Sequence, residues 1–171
     1  MDIINEYINY IKNKKKLSQN TISSYFIDIK KYLDYLSNKN INIEQVGEND
    51  IIGYLMELER SNISVSTVSR MISSIKSFHD YLFFCGKCKS DPARNIKKPK
   101  VNQEKVDILT EEEINSLLNF PRLDTPRLIR DKAIFEVLYG TGIKVSELVK
   151  MNVLDIDLDV EYIYCNSGGV K

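Results

Sequence analysis

Apolar side chains recur every three or four positions in four successive segments of the first 90 residues. That spacing places them on one face of an α-helix, so the pattern predicts four amphipathic helices. The second should begin after an N-cap at Ser18, the third near Asn49 and the fourth after an N-cap at Ser64. The expected inward positions are Ile4, Tyr7, Ile8 and Ile11; Ile22, Tyr25 or Phe26, Ile29, Tyr32 or Leu33, and Leu36; Ile52, Leu55 and Leu58; Val68, Met71 or Ile72, Ile75, Phe78 or His79, and Leu82. Because no single helix can bury such a face, we expect a four-helix bundle.

The opposite faces of the second and fourth helices are rich in hydroxyl groups. The positions predicted to face outward are Thr21, Ser24, Asp28 and Lys31 on the second helix, and Ser66, Thr67, Arg70, Ser73, Ser74 and Ser77 on the fourth. Hydroxyls and cations in such stripes can donate hydrogen bonds to phosphate oxygens. Polar stripes are also common on helices that are merely solvated, and the residues alone favour that alternative.

A polar, basic stretch without helical periodicity follows the fourth helix. It predicts a boundary between domains, with a first domain at residues 1–94, a linker at 95–108 and a second domain at 109–171. The linker lysines, including Lys97, Lys98 and Lys100, are either ordinary solubilising charges or a cationic strap that neutralises phosphates.

The second domain is expected to mix helices with a short β-hairpin. Thr110 and Glu113 have capping-box spacing, and a further helix is expected over about 127–139. Residues 155–158 and 162–165 predict two strands around a tight turn, and Gly168-Gly169 would lead into a third. Because the chain then ends inside a hairpin, we expect this domain to be incomplete.

The net charge of zero conceals an uneven distribution. Residues 1–100 contain 16 Lys and Arg against 11 Asp and Glu, whereas residues 101–171 contain 8 against 13. The first part is therefore the better partner for a polyanion. The sequence has no apolar run near the ~20 residues that span a bilayer and no signal-peptide pattern at its start, so we expect a cytoplasmic protein without a membrane segment.

Two isolated features are interpreted as structural. Cys85-Gly86-Lys87-Cys88 has the spacing of half a zinc site or of a redox pair, but a second Cys/His pair is missing from the sequence, and Gly86 is better explained as the residue that ends the fourth helix. His79 is the only histidine and falls on the apolar side of that helix, so we expect a core residue.

The stretch from Tyr139 to Val149 is the strongest candidate for a chemical site. Gly140-Thr141-Gly142 predicts a short turn that brings Lys144 to the first turn of a helix, where a cation can meet a phosphate. A plain turn with an incidental lysine is the alternative.

Six segments, in this order, resemble the tyrosine recombinase (phage integrase) family, most nearly its Xer-type bacterial members. They are Leu17-Ser18-Gln19-Asn20-Thr21 through Tyr25, Ser66-Thr67-Val68-Ser69-Arg70 through Phe78, Asp91-Pro92-Ala93, Leu109-Thr110-Glu111-Glu112-Glu113, Arg130-Asp131-Lys132-Ala133, and the stretch around Lys144. Each segment is short, but together they cover essentially the whole chain.

The resemblance implies a mainly α protein. Its parts would be a four-helix, SAM-like core-binding domain and the truncated start of an α+β catalytic domain, which in this family grip duplex DNA together. The DNA-binding residues it suggests here are Lys15, Lys16, Ser18, Asn20, Thr21, Ser24, Lys31, Ser66, Thr67, Arg70, Ser74, Lys97, Lys98 and Lys100.

The resemblance also implies a reaction. In this family a tyrosine attacks the scissile phosphate to form a 3′-phosphotyrosyl intermediate, two arginines stabilise the transition state, and a lysine protonates the leaving oxygen, with no metal or nucleotide cofactor. Lys144 stands where the first arginine belongs, and Gly168 aligns with the lysine position. Glu147 matches an acidic family position and is expected to anchor the cation and its loop.

Two hypotheses follow for the parent protein. It is either an active recombinase that tolerates Lys144, or a catalytically degenerate relative that binds DNA as a regulator or accessory subunit. The second arginine and the nucleophilic tyrosine belong to a later part of the family pattern, so this chain alone is predicted not to cleave DNA. The family assembles as a tetramer on DNA, whereas this chain alone is expected to be monomeric or weakly self-associating. A helical interaction module without a DNA role remains a third alternative.

Overall fold

A computed structural model of the chain describes residues 3–100, 107–119 and 125–165. Contacts between these residues divide the chain into two compact units, Met1–Glu104 and Lys105–Lys171. Each unit is described by itself below, as unit 1 and unit 2.

Unit 1 contains the four predicted amphipathic helices. They are α1 (Ile3–Asn13), α2 (Gln19–Asn38), α3 (Glu48–Arg60) and α4 (Val65–Phe84), with a 3₁₀ turn at Ile43–Gln45 before α3. The predicted N-caps are confirmed, because Ser18 Oγ accepts a hydrogen bond from the Thr21 amide and Ser64 Oγ accepts one from the Thr67 amide, both at 3.3 Å. Local capping chemistry thus fixes where α2 and α4 begin.

The core of unit 1 is built around α4, which packs against the three other helices. Phe78 is fully buried and meets the ring of Tyr7 edge to face, with the ring centroids 5.1 Å apart. The buried hydrophobic residues are Ile4, Tyr7, Ile11, Ile22, Ile29, Tyr32, Leu36, Val46, Ile51, Tyr54, Leu58, Val68, Met71, Ile72, Ile75, Phe78, Tyr81, Leu82, Ala93 and Ile96. The bundle therefore buries one continuous apolar cluster.

The predicted inward face of α3 is confirmed at Leu58 and is wrong by one position at Ile52 and Leu55. Ile51, Tyr54 and Leu58 are buried, whereas the predicted Ile52 and Leu55 are only half-buried. The ring of Tyr54 lies 5.3 Å from that of Tyr32 on α2, between centroids, and aromatic pairs of this kind contribute beyond their buried area. The aromatic contact and the burial of Ile51 together set the rotation of the helix.

The end of α4 confirms the prediction for Gly86. Its φ of 68° lies in the left-handed region, its amide donates to the Phe83 carbonyl at 3.0 Å, and the Lys87 amide donates to the Leu82 carbonyl at 2.9 Å. This pair of bonds is the Schellman arrangement. Beyond it the chain returns to the bundle, where Ala93 and Ile96 are buried, so Ile96 packs in the core although it falls within the predicted linker.

The described part of unit 2 contains one 16-residue helix, two shorter helices and a pair of short strands. They are α5 (Glu111–Leu118), α6 (Pro126–Thr141), α7 (Val145–Leu148), β1 (Ile156–Asp157) and β2 (Tyr162–Ile163), and the two strands pair antiparallel with Ile156 opposite Ile163. The Thr110 capping box is confirmed, with Thr110 N to Glu113 Oε2 at 2.8 Å and Glu113 N to Thr110 Oγ1 at 3.2 Å. The third strand expected at Gly168-Gly169 lies outside the described residues.

The mainly helical fold with a short hairpin is therefore confirmed. Among the described helices, none has the length and apolar character needed to cross a bilayer.

Candidate nucleic-acid interface

The amino-terminal halves of α2 and α4 border a shallow groove of about 480 Å³ on unit 1. Its lining residues are Asn20, Thr21, Ser24 and Tyr25 of α2 and Ser66, Ser69, Arg70 and Ser73 of α4. Most of these side chains are hydroxyls, amides or cations, so the groove presents hydrogen-bond donors. We refer to it as the α2/α4 groove.

Matching N-caps lie at the start of both helices. Ser18 Oγ lies 2.9 Å from Thr21 Oγ1, and Ser64 Oγ donates to Thr67 Oγ1 at 2.8 Å. Thr21 and Thr67 are half-buried, while Ser18 and Asn20 are exposed. The amino-terminal ends of helices carry partial positive charge, so this end of the bundle favours anions.

Arg70 is the cation of the α2/α4 groove. Its Nη1 forms an ion pair with Asp28 Oδ2 and lies 3.5 Å from the Ser24 carbonyl oxygen, while the side chain is 42% exposed. Ser66 is also exposed at this groove. The guanidinium is thus held on one side and accessible on the other.

The prediction of an outward-facing side chain is wrong at two positions. Asp28 is only 2% exposed and Ser74 is fully buried. Ser74 Oγ donates to Asp28 Oδ2 at 3.0 Å and lies 2.9 Å from the Met71 carbonyl, so Ser74 has no surface with which to contact a phosphate. Asp28 and Ser74 point toward the interior of the bundle. A buried carboxylate needs charged and polar partners, and Arg70 and Ser74 supply them from α4.

The predicted lysines do not form one cluster. Lys15 pairs with Asp80 at 3.0 Å, and Lys16 is exposed with a φ of 50°. Lys31 is exposed but lines a different groove, together with Tyr54 of α3. Lys97, Lys98 and Lys100 are exposed beyond the buried Ile96, and Lys105, the other lysine of the predicted linker, lies outside the described residues.

Lys144 occupies the N-cap position of α7 in unit 2. Gly142 ends α6 with a φ of 65°, and Glu147 Oε2 accepts a hydrogen bond from the Lys144 amide at 2.9 Å. Glu147 therefore anchors the backbone of the turn rather than the ammonium group. Lys144 is exposed, and its ammonium has no hydrogen-bond or ion-pair partner among residues 3–100, 107–119 and 125–165. Gly168, the other position at which the sequence differs from the family pattern, lies outside these ranges.

His79 is a core residue, as expected. It is fully buried, and its Nε2 lies 3.0 Å from the Tyr32 hydroxyl. Burial disfavours the charged imidazolium and lowers the pKa of His79 to about 4. A neutral, enclosed imidazole has no role at the surface.

The cysteines are separate thiols. Cys85 is exposed, while Cys88 is half-buried with its Sγ 3.8 Å from the Ile43 carbonyl oxygen, and burial raises the pKa of the Cys88 thiol. The described part of the chain holds no group of three or more metal-ligating side chains.

Sequence reasoning missed Asp28 as a partner of Arg70. The two residues are 42 positions apart, and a carboxylate within a polar stripe looks like an ordinary surface residue. The available signal was the acidic residue one helical turn after Ser24, on a helix expected to pack against the helix that carries Arg70.

Two family models match the chain, one to each unit. Residues 4–84 match the model described as "Phage integrase, N-terminal SAM-like domain", and residues 107–171 match the model described as "Phage integrase family".

Curated relatives match nearly the whole chain. Tyrosine recombinase XerD of Oceanobacillus iheyensis is 36% identical over 170 residues, which are 98% of this chain and 57% of the relative. Tyrosine recombinase XerC of Roseiflexus castenholzii is 34% identical over 164 residues, which are 95% of this chain and 52% of the relative. The chain thus spans little more than half the length of these relatives.

Solved structures show the same fold at lower identity. The Tn1549 transposon integrase in complex with circular intermediate DNA has a TM-score of 0.63 at 16% identity, covering 98% of this chain and 61% of that chain. Its complex with transposon right end DNA has a TM-score of 0.64 at 19% identity, covering 93% and 50%. Since both family models describe phage integrases and the relatives are tyrosine recombinases, this chain belongs to the tyrosine recombinase (phage integrase) family.

Proposed function

We propose that this chain is the DNA-binding portion of a site-specific tyrosine recombinase. In the complete protein, DNA strands would be cleaved and rejoined through a 3′-phosphotyrosine. Residues 1–94, together with the segment through the buried Ile96, would form the core-binding domain. The residues from there to 108 would form a linker whose Lys97, Lys98 and Lys100 approach phosphates, and residues 109–171 part of the catalytic domain.

The observation that carries this proposal is the α2/α4 groove. It combines two helix amino termini, exposed hydroxyl and amide side chains, and the half-exposed guanidinium of Arg70. Duplex DNA presents regularly spaced phosphates that such donors contact without reading sequence. Both structures of the Tn1549 transposon integrase are complexes with DNA, which supports duplex DNA as the partner here.

A salt titration of duplex binding tests the proposal. The affinity of the chain for a mixed-sequence duplex is measured between about 50 and 200 mM salt, since each phosphate contact contributes a slope of about −0.9 in log K against log salt. We expect Arg70→Ala to weaken binding and to make the slope shallower by about one contact.

Lys39→Ala is the matched control. Lys39 follows the carboxyl-terminal end of α2, far from the α2/α4 groove, and the substitution also removes one positive charge. We expect it to leave the slope unchanged. Absence of duplex binding by the wild-type chain at low salt would overturn the proposal and favour a helical interaction module.

Lys144 supports a second candidate, a catalytically degenerate recombinase that binds DNA as a regulator or accessory subunit. A lysine keeps the charge of the family's arginine but lacks the planar fork that grips two phosphate oxygens, and loss of one such contact can lower the rate by ~100-fold or more. Cleavage of a nicked suicide substrate by the complete protein separates the two candidates.

For an active recombinase, we expect Lys144→Arg to raise cleavage and Lys144→Ala to lower it. Equal cleavage by all three proteins would remove Lys144 from the mechanism. If the wild-type complete protein binds the duplex but does not cleave it, the degenerate candidate is favoured. This holds whether or not Lys144→Arg restores cleavage.

The complete protein is further proposed to assemble as a tetramer on two duplexes. Light scattering with and without duplex DNA tests this step. We expect the 171-residue chain to remain monomeric or weakly associated without DNA.

A further inference from the structure

Asp28 is a buried carboxylate whose role the proposed function does not require. It is 2% exposed, in a bundle whose other buried residues are nearly all apolar. Taking an ionised carboxylate out of water costs several kcal/mol unless charged and hydrogen-bonded partners compensate. Its partners here are Arg70 and Ser74, both on α4.

The contact with Asp28 engages one nitrogen of the Arg70 guanidinium, Nη1, and leaves the other two without a hydrogen-bond partner among the described residues. Nη1 is engaged by Asp28 Oδ2 and lies near the Ser24 carbonyl oxygen. A guanidinium has five N–H donors in a rigid plane, so fixing Nη1 also fixes the direction of the other donors. Among the described residues, neither Nε nor Nη2 of Arg70 has a hydrogen-bond partner.

We infer that Asp28 is a positioning residue that holds Arg70 at the α2/α4 groove, ready to donate to a DNA phosphate. The inference rests on the proposed function, and it deepens it by assigning a residue that does not itself touch DNA. A free arginine loses rotamer freedom when it binds, and an arginine already held in place loses less. Asp28 thereby strengthens binding although it carries the same sign of charge as the phosphate.

The sign of the effect separates positioning from simple electrostatics. If charge alone mattered, Asp28→Asn would remove a negative charge near the phosphates and tighten binding. If Asp28 positions Arg70, the same substitution frees the guanidinium and weakens binding by about two- to tenfold. The two accounts therefore predict opposite changes.

The test is a double-mutant cycle on duplex binding with the 171-residue chain. Kd and its salt dependence are measured for wild type, Asp28→Asn, Arg70→Ala and the double variant, on one mixed-sequence duplex. We expect Asp28→Asn to weaken binding in the wild-type background, to shift the salt slope toward that of Arg70→Ala, and to have no further effect when Arg70 is already absent. Tighter or unchanged binding by Asp28→Asn, or equal weakening in both backgrounds, would overturn the inference.

Two further variants keep the test decisive if Asp28→Asn unfolds the bundle. Ser74→Ala removes a hydrogen bond to the same carboxylate but leaves the Asp28 to Arg70 pair, so it should lower thermal stability and leave Kd unchanged. Arg70→Lys keeps the charge but loses the fork that can face Asp28 and a phosphate together, so it should bind nearly as weakly as Arg70→Ala. Wild-type affinity of Arg70→Lys would contradict the inference.

The pattern of outcomes also identifies which proposal fails. If Arg70→Ala weakens binding while Asp28→Asn does not, only the positioning role is lost. If Arg70→Ala has no effect, the assignment of the α2/α4 groove as the phosphate-binding surface fails as well.

Discussion

Unit 1 and unit 2 contain similar local signals but differ in burial. Every buried hydrophobic side chain among the described residues belongs to unit 1, where Phe78 and Leu82 have no exposed surface. In the described part of unit 2 no side chain is buried, and Leu154 is 95% exposed. Helices in both units begin with hydrogen-bonded caps, as at Ser64 and Thr110.

The difference shows which interactions hold each unit. In unit 1, helices capped by local chemistry are also locked by a shared apolar core, which is the larger contribution to most helical stability in proteins. In unit 2, caps, turns and one pair of short strands define the elements. A change to an apolar side chain should therefore have very different consequences in the two units.

The largest expected effect is that of emptying the core of unit 1. Phe78→Ala removes a fully buried ring that contacts Tyr7 and His79, and such substitutions cost about 3–5 kcal/mol in the free energy of unfolding. Urea unfolding followed by the near-ultraviolet circular dichroism of the buried tyrosines measures this loss.

Leu154→Ala is the matched change in unit 2. Because Leu154 is almost wholly exposed, we expect its effect on the same transition to stay within about 0.5 kcal/mol. A loss comparable to that of Phe78→Ala would mean that unit 2 contributes to the same cooperative core.

A smaller effect should come from acid, and it should be confined to unit 1. The folded pKa of His79 is about 4, below its ordinary value of 6.5, so the unfolded chain takes up a proton first as the pH falls. The stability that the neutral His79 contributes is fully present above pH 6.5 and is lost as the pH falls from there toward about 4. At pH 5 the loss should be about 2 kcal/mol relative to pH 7.5.

Urea unfolding of the wild type and of His79→Gln at the two pH values checks this. His79 is the only histidine in the chain, so the glutamine variant, which can still hydrogen-bond to Tyr32, should show much less dependence between pH 7.5 and 5. An equal dependence in both proteins would assign the acid sensitivity to other groups.

The smallest expected effect compares two glycines with the same backbone conformation. Gly86 ends α4 with a φ of 68° and Gly142 ends α6 with a φ of 65°, and an added Cβ would meet nothing within 4 Å at either position. Only the strain of the left-handed conformation remains, roughly 1 kcal/mol for alanine.

We expect Gly86→Ala to lower the stability of unit 1 by that amount, and Gly142→Ala to leave the unfolding of unit 1 unchanged. Thermal melts of both variants, recorded with the tyrosine signal, provide the comparison. Equal shifts in that signal would show that the two units unfold together.

Local signals explain what the sequence predicts well. The caps at Ser18, Ser64 and Thr110 and the helix end at Gly86 each depend on residues no more than five positions apart, and all four are confirmed. The core position of His79 follows from helical periodicity within α4.

Contacts between residues that are distant in the sequence explain the features that the sequence does not predict. Asp28 and Ser74 turn inward because they meet each other across 46 positions, and the rotation of α3 depends on a ring contact between Tyr54 and Tyr32. Ile96 looks like part of a linker until the bundle that covers it is in place. Tertiary contacts of this kind override a local pattern. Arg70 therefore remains in the candidate site, whereas Ser74 is buried and does not belong to it.

The central claim is that the α2/α4 groove is the surface of unit 1 that meets duplex DNA. Its most direct test is an NMR titration of the 171-residue chain with a short mixed-sequence duplex at low salt, following backbone amides. We predict the largest shift changes at Asn20, Thr21, Ser24, Ser66 and Ser69, with little change around the exposed Phe83 and Phe84 at the opposite end of α4. Changes that centre on Phe83 and Phe84, and leave the groove amides unmoved, would contradict it.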